Sequence, residues 1–246
     1  MKTKSLLVVL VWFLVSEILH AQETASFNKS APQSFGIVDG EGPDWKTFEK
    51  ADFVRANCNE ETFVWEGSTV RCTGQPVGVL RSVKQYKNFE FVAHWRHLSV
   101  GGNSGFFVWS PEDSFQDLLP GKLPKGGIEV QILDHGYAKK YFEKNGKQGD
   151  WFTTNGDVFS VGGSTMVPFE PVSPKGARSF PRENRSLGSP EWNHYYVRAI
   201  NGEIRLWVNG REVSGGRGCK PSEGYLCLES EGAPIEWKEI RARELP

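Results

Sequence analysis

Two polar side chains, Glu129 and Gln131, stand two residues apart in the otherwise apolar run Gly-Ile-Glu-Val-Gln-Ile-Leu that begins at residue 127. A strand alternates its side chains, so both would project from one face while Val130 and Ile132 project from the other. An apolar alternate face suits the core of a β-sandwich, which leaves the carboxylate and the amide on the outer side of a sheet. A carboxylate transfers protons and an amide orients a ligand, so the pair predicts a site in a groove there.

Two further candidates for chemistry follow this strand directly. Asp134 lies five residues after Glu129, so a regular strand would turn it towards the core, and only a bulge or the strand end would bring it to the groove. The alternative is that Asp134 caps or turns the strand end. His135 is a candidate base or metal ligand, and its alternative is an ordinary polar loop residue.

Candidates for ligand binding are spread over the rest of the chain. Asn103 lies in a Gly-Gly-Asn-Ser-Gly turn. Trp207 shares a strand face with polar neighbours and is therefore a groove candidate. Asn193 could hydrogen-bond a ligand. Tyr141 and Arg178 lie in a long segment that could close over a ligand.

The elements that must position these residues are short strands. Residues 89–96 alternate cleanly, with Phe89, Phe91, Ala93 and Trp95 on one face. The 27 Gly and 14 Pro suit many strands joined by turns, and Asn-Gly pairs at 201–202 and 209–210 mark two of the turns. Between 134 and 193 the periodicity fades, and no sustained helical period appears. The pattern predicts an all-β protein, a two-sheet antiparallel sandwich.

The charge balance excludes two classes of partner, and the amino-terminal stretch indicates a compartment. The net charge of −1, from 29 basic and 30 acidic residues, gives no electrostatic footprint for nucleic acid or an anionic membrane. Lys2 and Lys4 precede an apolar run at 6–15, and Ala21 follows, which predicts a signal peptide over 1–21. An uncleaved anchor is the alternative. We expect an irregular lead-in over 22–43, one domain over 44–246, a secreted or periplasmic location, and no stable membrane span after cleavage.

Four cysteines remain after the predicted signal peptide, which is an even number in a chain bound for an oxidising compartment. Two disulfides are therefore predicted. Of the three connectivities, the local pairs Cys58–Cys72 and Cys219–Cys227 are favoured because each pair flanks a predicted turn.

Five ordered motifs together resemble one known family. They are Gly101-Gly-Asn-Ser-Gly-Phe-Phe-Val-Trp109, the strand Glu129-x-Gln131-x-x-Asp134, Glu191-Trp-Asn193, Leu206-Trp-Val-Asn-Gly210 and Leu226–Ile235. This pattern, over roughly residues 44–245, resembles the 3-keto-disaccharide hydrolase domain family. The resemblance implies a concanavalin-like jelly roll of the lectin and glucanase type, and the processing of disaccharides or glycosides that carry a ketone at carbon 3 of the sugar. It also adds a binding role for Asn103.

Two reaction types are open at this point. Hydrolysis by two carboxylates needs acidic groups on both sides of the scissile bond, for which Glu129 and Asp134 are the candidates. A 3-keto sugar also permits elimination, because the ketone acidifies the proton on carbon 2. That route needs one base and an electrophile, which Glu129 with His135 or a divalent cation would supply. The metal ligands are not assigned. A non-catalytic carbohydrate-binding module is the alternative function.

Overall fold

The computed structural model describes residues 36–246. Sixteen strands, one α-helix and two 3-10 turns form this part of the chain. The strands are β1 (Lys46–Thr47), β2 (Phe53–Ala56), β3 (Phe63–Glu66), β4 (Thr69–Cys72), β5 (Gly78–Ser82), β6 (Phe89–His97), β7 (Asn103–Ser110), β8 (Gly126–Leu133), β9 (Val158–Gly162), β10 (Thr165–Pro168), β11 (Arg178–Ser179), β12 (Asn193–Ile200), β13 (Glu203–Val208), β14 (Arg211–Lys220), β15 (Tyr225–Ser230) and β16 (Ile235–Glu244). The helix is α1 (Tyr137–Asn145), and the 3-10 turns span Lys50–Asp52 and Glu112–Phe115.

The strands form two antiparallel sheets, so the predicted all-β sandwich is confirmed. The nine-stranded sheet has the order β10-β14-β13-β12-β6-β16-β4-β3, with β1 paired to β16. The seven-stranded sheet has the order β11-β9-β8-β7-β15-β5-β2. Some neighbours are consecutive in the chain, such as β7, β8 and β9 or β12, β13 and β14, and others are distant in sequence. The central strands of the seven-stranded sheet are β8, β7 and β15, of which β7 and β8 are consecutive and β15 comes from near the carboxyl end.

The core lies between the inner faces of the two sheets. Phe89, Phe91, Ala93 and Trp95 of β6 all belong to it, as their alternation predicts. Phe91 stacks on Phe106 of the opposite sheet with ring centroids 4.1 Å apart and an interplanar angle of 15°. Aromatic contact across the layers therefore fixes how β6 and β7 lie over one another.

Strand β8 divides its side chains between two environments. Val130 and Ile132 are fully buried in the core, and Glu129 and Gln131 project from the other face of the same strand, as expected from the period of two. The outer pair is nevertheless almost inaccessible, with 7% of Glu129 and 5% of Gln131 exposed. Arg178, from a segment after β8, bonds to Gln131 on this face, so later parts of the chain cover the outer pair.

The segment between residues 134 and 193 contains more regular structure than its weak periodicity indicates. It forms α1 and strands β9, β10 and β11. The helix was missed because nine residues hold only two and a half turns, too few for a sustained period. Gly146 ends it in the left-handed conformation at φ 68°, with its N–H bonded to the Phe142 carbonyl, which is a common helix stop.

The disulfide prediction is wrong, because all four cysteines are free thiols. Cys58 follows β2 in the seven-stranded sheet, whereas Cys72 lies on β4 in the nine-stranded sheet, and their thiols contact the carbonyls of Val79 and Glu229. Cys219 belongs to the core, while Cys227 lies on the outer face of the other sheet. Residues near in sequence were assumed to be paired across hairpins, but the chain changes sheets between them.

The amino-terminal predictions meet the structure only in part. The predicted signal peptide at 1–21 and most of the lead-in at 22–43 lie outside the described residues. Residues 36–43 contain no helix or strand. Among residues 36–246, no helix has the length and apolarity needed to cross a membrane.

The division of β8 into two faces gives a stability prediction. Ile132→Ala should lower the free energy of unfolding by about 2–5 kcal/mol, because it removes buried contacts and leaves a cavity. Val64→Ala is the control, since Val64 lies on β3 with 42% of its surface exposed, and its cost should stay below about 1 kcal/mol. Urea unfolding monitored by Trp fluorescence measures both. Equal costs would mean that Ile132 does not face the core.

Candidate active site

The candidate site lies on the outer face of the seven-stranded sheet, where β8, β7 and β15 run side by side. Glu129 and Gln131 project from β8, Glu229 projects from β15, and Glu231 follows the end of β15. At least one oxygen of each glutamate lies within 4.8 Å of an oxygen from each of the other two. We call Glu129, Glu229 and Glu231 the carboxyl cluster.

A glycine on β7 makes room for the carboxyl cluster. Gly105 is the register partner of Gln131 and lies on the strand between β8 and β15. A Cβ atom at this position would stand 2.5 Å from Oε2 of Glu229, well inside contact distance. The missing side chain therefore allows the Glu229 carboxyl to lie over β7, close to Glu129.

Burial perturbs all three glutamates, and repulsion from neighbouring carboxyls adds to its effect on Glu129 and Glu229. Burial, together with the charge of Glu231, raises the pKa of Glu129 to about 8, and Arg178 opposes part of the increase. Burial raises the pKa of Glu231 to about 7, again against the effect of Arg178. For Glu229, burial and the two neighbouring carboxyls raise the pKa well above its ordinary value. Three negative charges therefore cannot coexist here near neutral pH unless protons or a cation compensate them.

Glu229 is the extreme member of the cluster. It has no exposed surface, neither carboxyl oxygen accepts a hydrogen bond from an N–H or hydroxyl group, and its one side-chain partner is the carboxyl of Glu231. By contrast, Glu231 is half-buried at the rim, where the Asn103 side chain bonds to it. The cluster thus extends from a closed floor at Glu229 to an accessible carboxyl at Glu231.

Arg178 supplies the positive charge beside the cluster. Its guanidinium lies 3.6 Å from Asp157, donates to Oε1 of Gln131 at 3.1 Å, and packs over the Phe159 ring at 3.5 Å. Burial lowers the pKa of Arg178, but the charges of Asp157 and Glu129 counteract this. The cation is therefore held in place from three directions.

A chain of hydrogen bonds connects this arginine to the rim. Arg178 donates to Gln131, Nε2 of Gln131 donates to Oδ1 of Asn103 at 3.0 Å, and Asn103 bonds to Glu231. Each amide uses its oxygen on one side and its nitrogen on the other, which fixes the orientation of both side chains. The sequence candidates Glu129, Gln131 and Asn103 are thus brought together in one site.

Aromatic side chains form one wall of the site. Tyr137 and Tyr141 of α1 pack against Phe152 with ring centroids 5.3 Å away in each case, and Trp151 packs on Phe152 at 4.7 Å. We call these four residues the aromatic wall. The wall adjoins the cluster, since burial and the charge of Glu231 raise the pKa of Tyr137, and Arg178 lies 4.8 Å from the Trp151 ring. The C–H faces of a sugar ring could pack on such a surface.

The Asp134 carboxylate lies away from the cluster and binds backbone groups of nearby loops. Its carboxylate accepts backbone N–H bonds from Gly101 at 2.5 Å, Gly136 at 2.9 Å and Ser189 at 2.7 Å. Burial alone would raise its pKa, but these three bonds outweigh burial and lower it. The side chain joins three loops beyond the end of β8, so the structure does not place it opposite Glu129 across a bond. This geometry fits the strand-end interpretation left open by the sequence.

Three other predicted site residues also lie away from the cluster. His135 pairs with the Ser186 hydroxyl at 3.0 Å, and Asn193 is buried in bonds to the backbone of Leu187. Trp207 lies on β13 of the nine-stranded sheet and packs on Tyr196 at 4.8 Å. The prediction that Trp207 lines the groove of Glu129 is wrong, because alternation gives the face of a strand and not the sheet that contains it.

Several residues of the site were not identified from the sequence. Glu229 and Glu231 carry the clearest overlooked signal, since Glu-Ser-Glu repeats the alternation of Glu129-Val130-Gln131. Asp157, Tyr137 and Trp151 have no such pattern, because they lie in the segment where periodicity fades.

Comparison with known proteins agrees with the fold described above. Residues 36–243 match the model of the 3-keto-alpha-glucoside-1,2-lyase-like domain family. Among solved structures, one from Parabacteroides distasonis, provisionally assigned as a glycosyl hydrolase, has a TM-score of 0.62 at 19% identity, covering 87% of this chain and 99% of the other. Carbohydrate-binding module CBM66 from Bacillus subtilis has a TM-score of 0.50 at 13% identity, covering 78% of this chain and 96% of the other. At these identities the structures show the fold alone. No curated protein matched.

The space above Gly105 gives a second prediction. Gly105→Ala should lower the free energy of unfolding by about 1–3 kcal/mol, because the new methyl group meets the Glu229 carboxyl. In a Glu229→Ala background the same change should cost less, and a double-mutant cycle from urea unfolding measures the difference. Gly163→Ala is the control, since its Cβ would meet no atom within 4 Å. An identical cost of Gly105→Ala in both backgrounds would contradict this account.

Proposed function

Because this chain belongs to the 3-keto-alpha-glucoside-1,2-lyase-like domain family, we propose that it cleaves the glycosidic bond of 3-keto disaccharides or related glycosides by elimination. The observation that carries the proposal is the gathering of all three cluster carboxyls in one place, beside a single arginine. The signal-like amino-terminal stretch supports action outside the cytoplasm, on a secreted or periplasmic substrate.

The geometry favours one base over a pair of opposed carboxylates. Glycosidases that use two carboxyl groups hold them about 5–5.5 Å or about 6.5–9.5 Å apart, with the scissile bond between them. Here all three cluster carboxyls lie on the same sheet face, and Glu129 and Glu229 are buried, so only Glu231 is accessible to a sugar and no second cluster carboxyl stands opposite it. Asp134, the other candidate for such a pair, is engaged by three backbone N–H groups.

Elimination needs the groups that the site provides. A carboxylate takes the proton from carbon 2, and the C–H electrons form an enolate with the ketone at carbon 3. The enolate then forms the double bond between carbons 1 and 2 as the bond from carbon 1 to the glycosidic oxygen breaks. The leaving oxygen takes a proton from water, and the hydroxide so formed takes the proton from the carboxyl, which restores the base. Addition of water across the new double bond completes a net hydrolysis.

We assign the proton abstraction to Glu231 and its support to Glu129. Glu231 is the cluster carboxyl at the accessible rim, and Asn103 orients it. Glu129 is a buried second carboxyl of the cluster, and its charge helps to keep the Arg178 guanidinium protonated. The Arg178 guanidinium, held by Asp157 and Gln131, is a fixed positive charge that would stabilise the enolate oxygen. The aromatic wall would carry the sugar ring.

The base assignment is tested by replacing the carboxyl with an amide. Glu231→Gln should lower kcat on a 3-keto glucoside by about 10²–10⁴-fold, because general-base catalysis is lost while the shape is kept. Glu223→Gln is the matched control, since Glu223 is exposed and precedes the same strand. Thermal denaturation of both variants verifies folding. Turnover at the wild-type rate in Glu231→Gln would remove this residue from the base role.

The reaction type is tested with substrate deuterated at carbon 2. Elimination should show a primary isotope effect or loss of the label to solvent, whereas direct hydrolysis should show neither. The unoxidised glucoside is the control and should not be cleaved, because it lacks the ketone that acidifies carbon 2. Full retention of deuterium without an isotope effect would exclude elimination. Binding of both sugars without cleavage of either would instead indicate a carbohydrate-binding module.

A further inference from the structure

The oxygens of the carboxyl cluster are spaced as ligands of one metal ion. Calcium binds oxygen at about 2.3–2.6 Å, so ligands on opposite sides of the ion stand up to about 4.8 Å apart. One oxygen each from Glu129, Glu229 and Glu231 falls within that limit of the other two. Magnesium requires about 2.0–2.1 Å and near-octahedral geometry, whereas calcium accepts carboxylate oxygens in irregular arrangements, which suits three carboxyls in one place.

The second observation is the state of Glu229. Its side chain is fully buried, neither oxygen accepts a hydrogen bond from an N–H or hydroxyl group, and the carboxyl is directed over Gly105 towards the other two glutamates. A buried carboxylate without such a donor is costly. Its one side-chain partner is the carboxyl of Glu231, and the two can share a hydrogen bond only while one of them carries a proton.

Other buried acids of the described domain are compensated by the protein itself. Asp134 receives three backbone N–H bonds. Asp157 pairs with Arg178 and accepts hydrogen bonds from the backbone and hydroxyl of Thr153. Arg178 is therefore already engaged with Asp157. Glu229 differs from both acids, because no N–H group, hydroxyl group or cation compensates its carboxyl.

We propose that Glu129, Glu229 and Glu231 bind one calcium ion, with water or a substrate oxygen completing its coordination. Each carboxyl has two oxygens, so a ligand set that uses one per residue leaves a second oxygen of Glu231 for proton transfer. Binding itself is independent of the proposed function. The role of the ion, polarisation of the ketone oxygen beside Arg178, rests on that function.

The test uses terbium(III) as a calcium probe in the full chain. Tyr137 and Trp151 adjoin the cluster, so excitation of these aromatics should sensitise terbium emission, and added Ca²⁺ should quench it by competition. Glu229→Gln should weaken Ca²⁺ binding by at least about tenfold, because it removes one charged ligand at constant shape. Glu223→Gln, at an exposed position, should bind as the wild type does. Thermal denaturation with and without Ca²⁺ gives a second readout, and only proteins with an intact site should gain stability.

Each result decides the proposal. Loss of terbium and Ca²⁺ binding in Glu229→Gln, with the control unaffected and the variant folded, supports it. Should Glu229→Gln fail to fold, Glu129→Gln takes its place with the same expectation. Equal binding by wild type and Glu229→Gln, or no binding by wild type at millimolar Ca²⁺, overturns it and indicates that protons compensate the cluster. Binding without carbon-2 exchange would leave the ion site standing and defeat the proposed function. Carbon-2 exchange that persists in chelator and in Glu229→Gln would leave the proposed function standing and overturn the role of the ion in it.

Discussion

Like charges in a space without water repel one another strongly, and this constraint shapes the whole outer face of the seven-stranded sheet. Three carboxyls share that space, so each neighbouring group either leaves room for them or balances their charge. Gly105 leaves room because it has no side chain. Arg178 opposes the increase in the pKa of Glu129 and of Glu231. The site is therefore a costly arrangement that the rest of the sandwich must stabilise.

Much of that stabilisation comes from rigidity behind the site. Strand β8 contributes Ile132 to the core on one side and Glu129 to the cluster on the other. A shift of β8 by one residue would bury the carboxyl in the core and expose the isoleucine, so the apolar face fixes the position of the acid. The hydrogen bond between the side-chain amides of Gln131 and Asn103 also fixes the side chains between β8 and the rim of the site.

The sequence predicts what depends on local periodicity. The period of two places Glu129 and Gln131 on the outer face of β8 and Phe91 and Trp95 in the core, and the structure agrees. Relations between strands distant in sequence are not encoded locally. The approach of Glu229 to Glu129 depends on β7 lying between β8 and β15, and the isolation of Trp207 depends on β13 joining the other sheet. The cysteine pairing failed for the same reason.

The four free thiols have a consequence for how the domain tolerates its redox surroundings. Burial raises the pKa of Cys72 to about 11 and that of Cys219 to about 12. At neutral pH only about one Cys72 in ten thousand is then a thiolate, the form that exchanges disulfides. No covalent cross-link between the described residues holds the two sheets together, so packing and hydrogen bonds, such as that from the Tyr195 hydroxyl to the Gln131 carbonyl, maintain them. A reducing agent therefore finds no cross-link to break within residues 36–246.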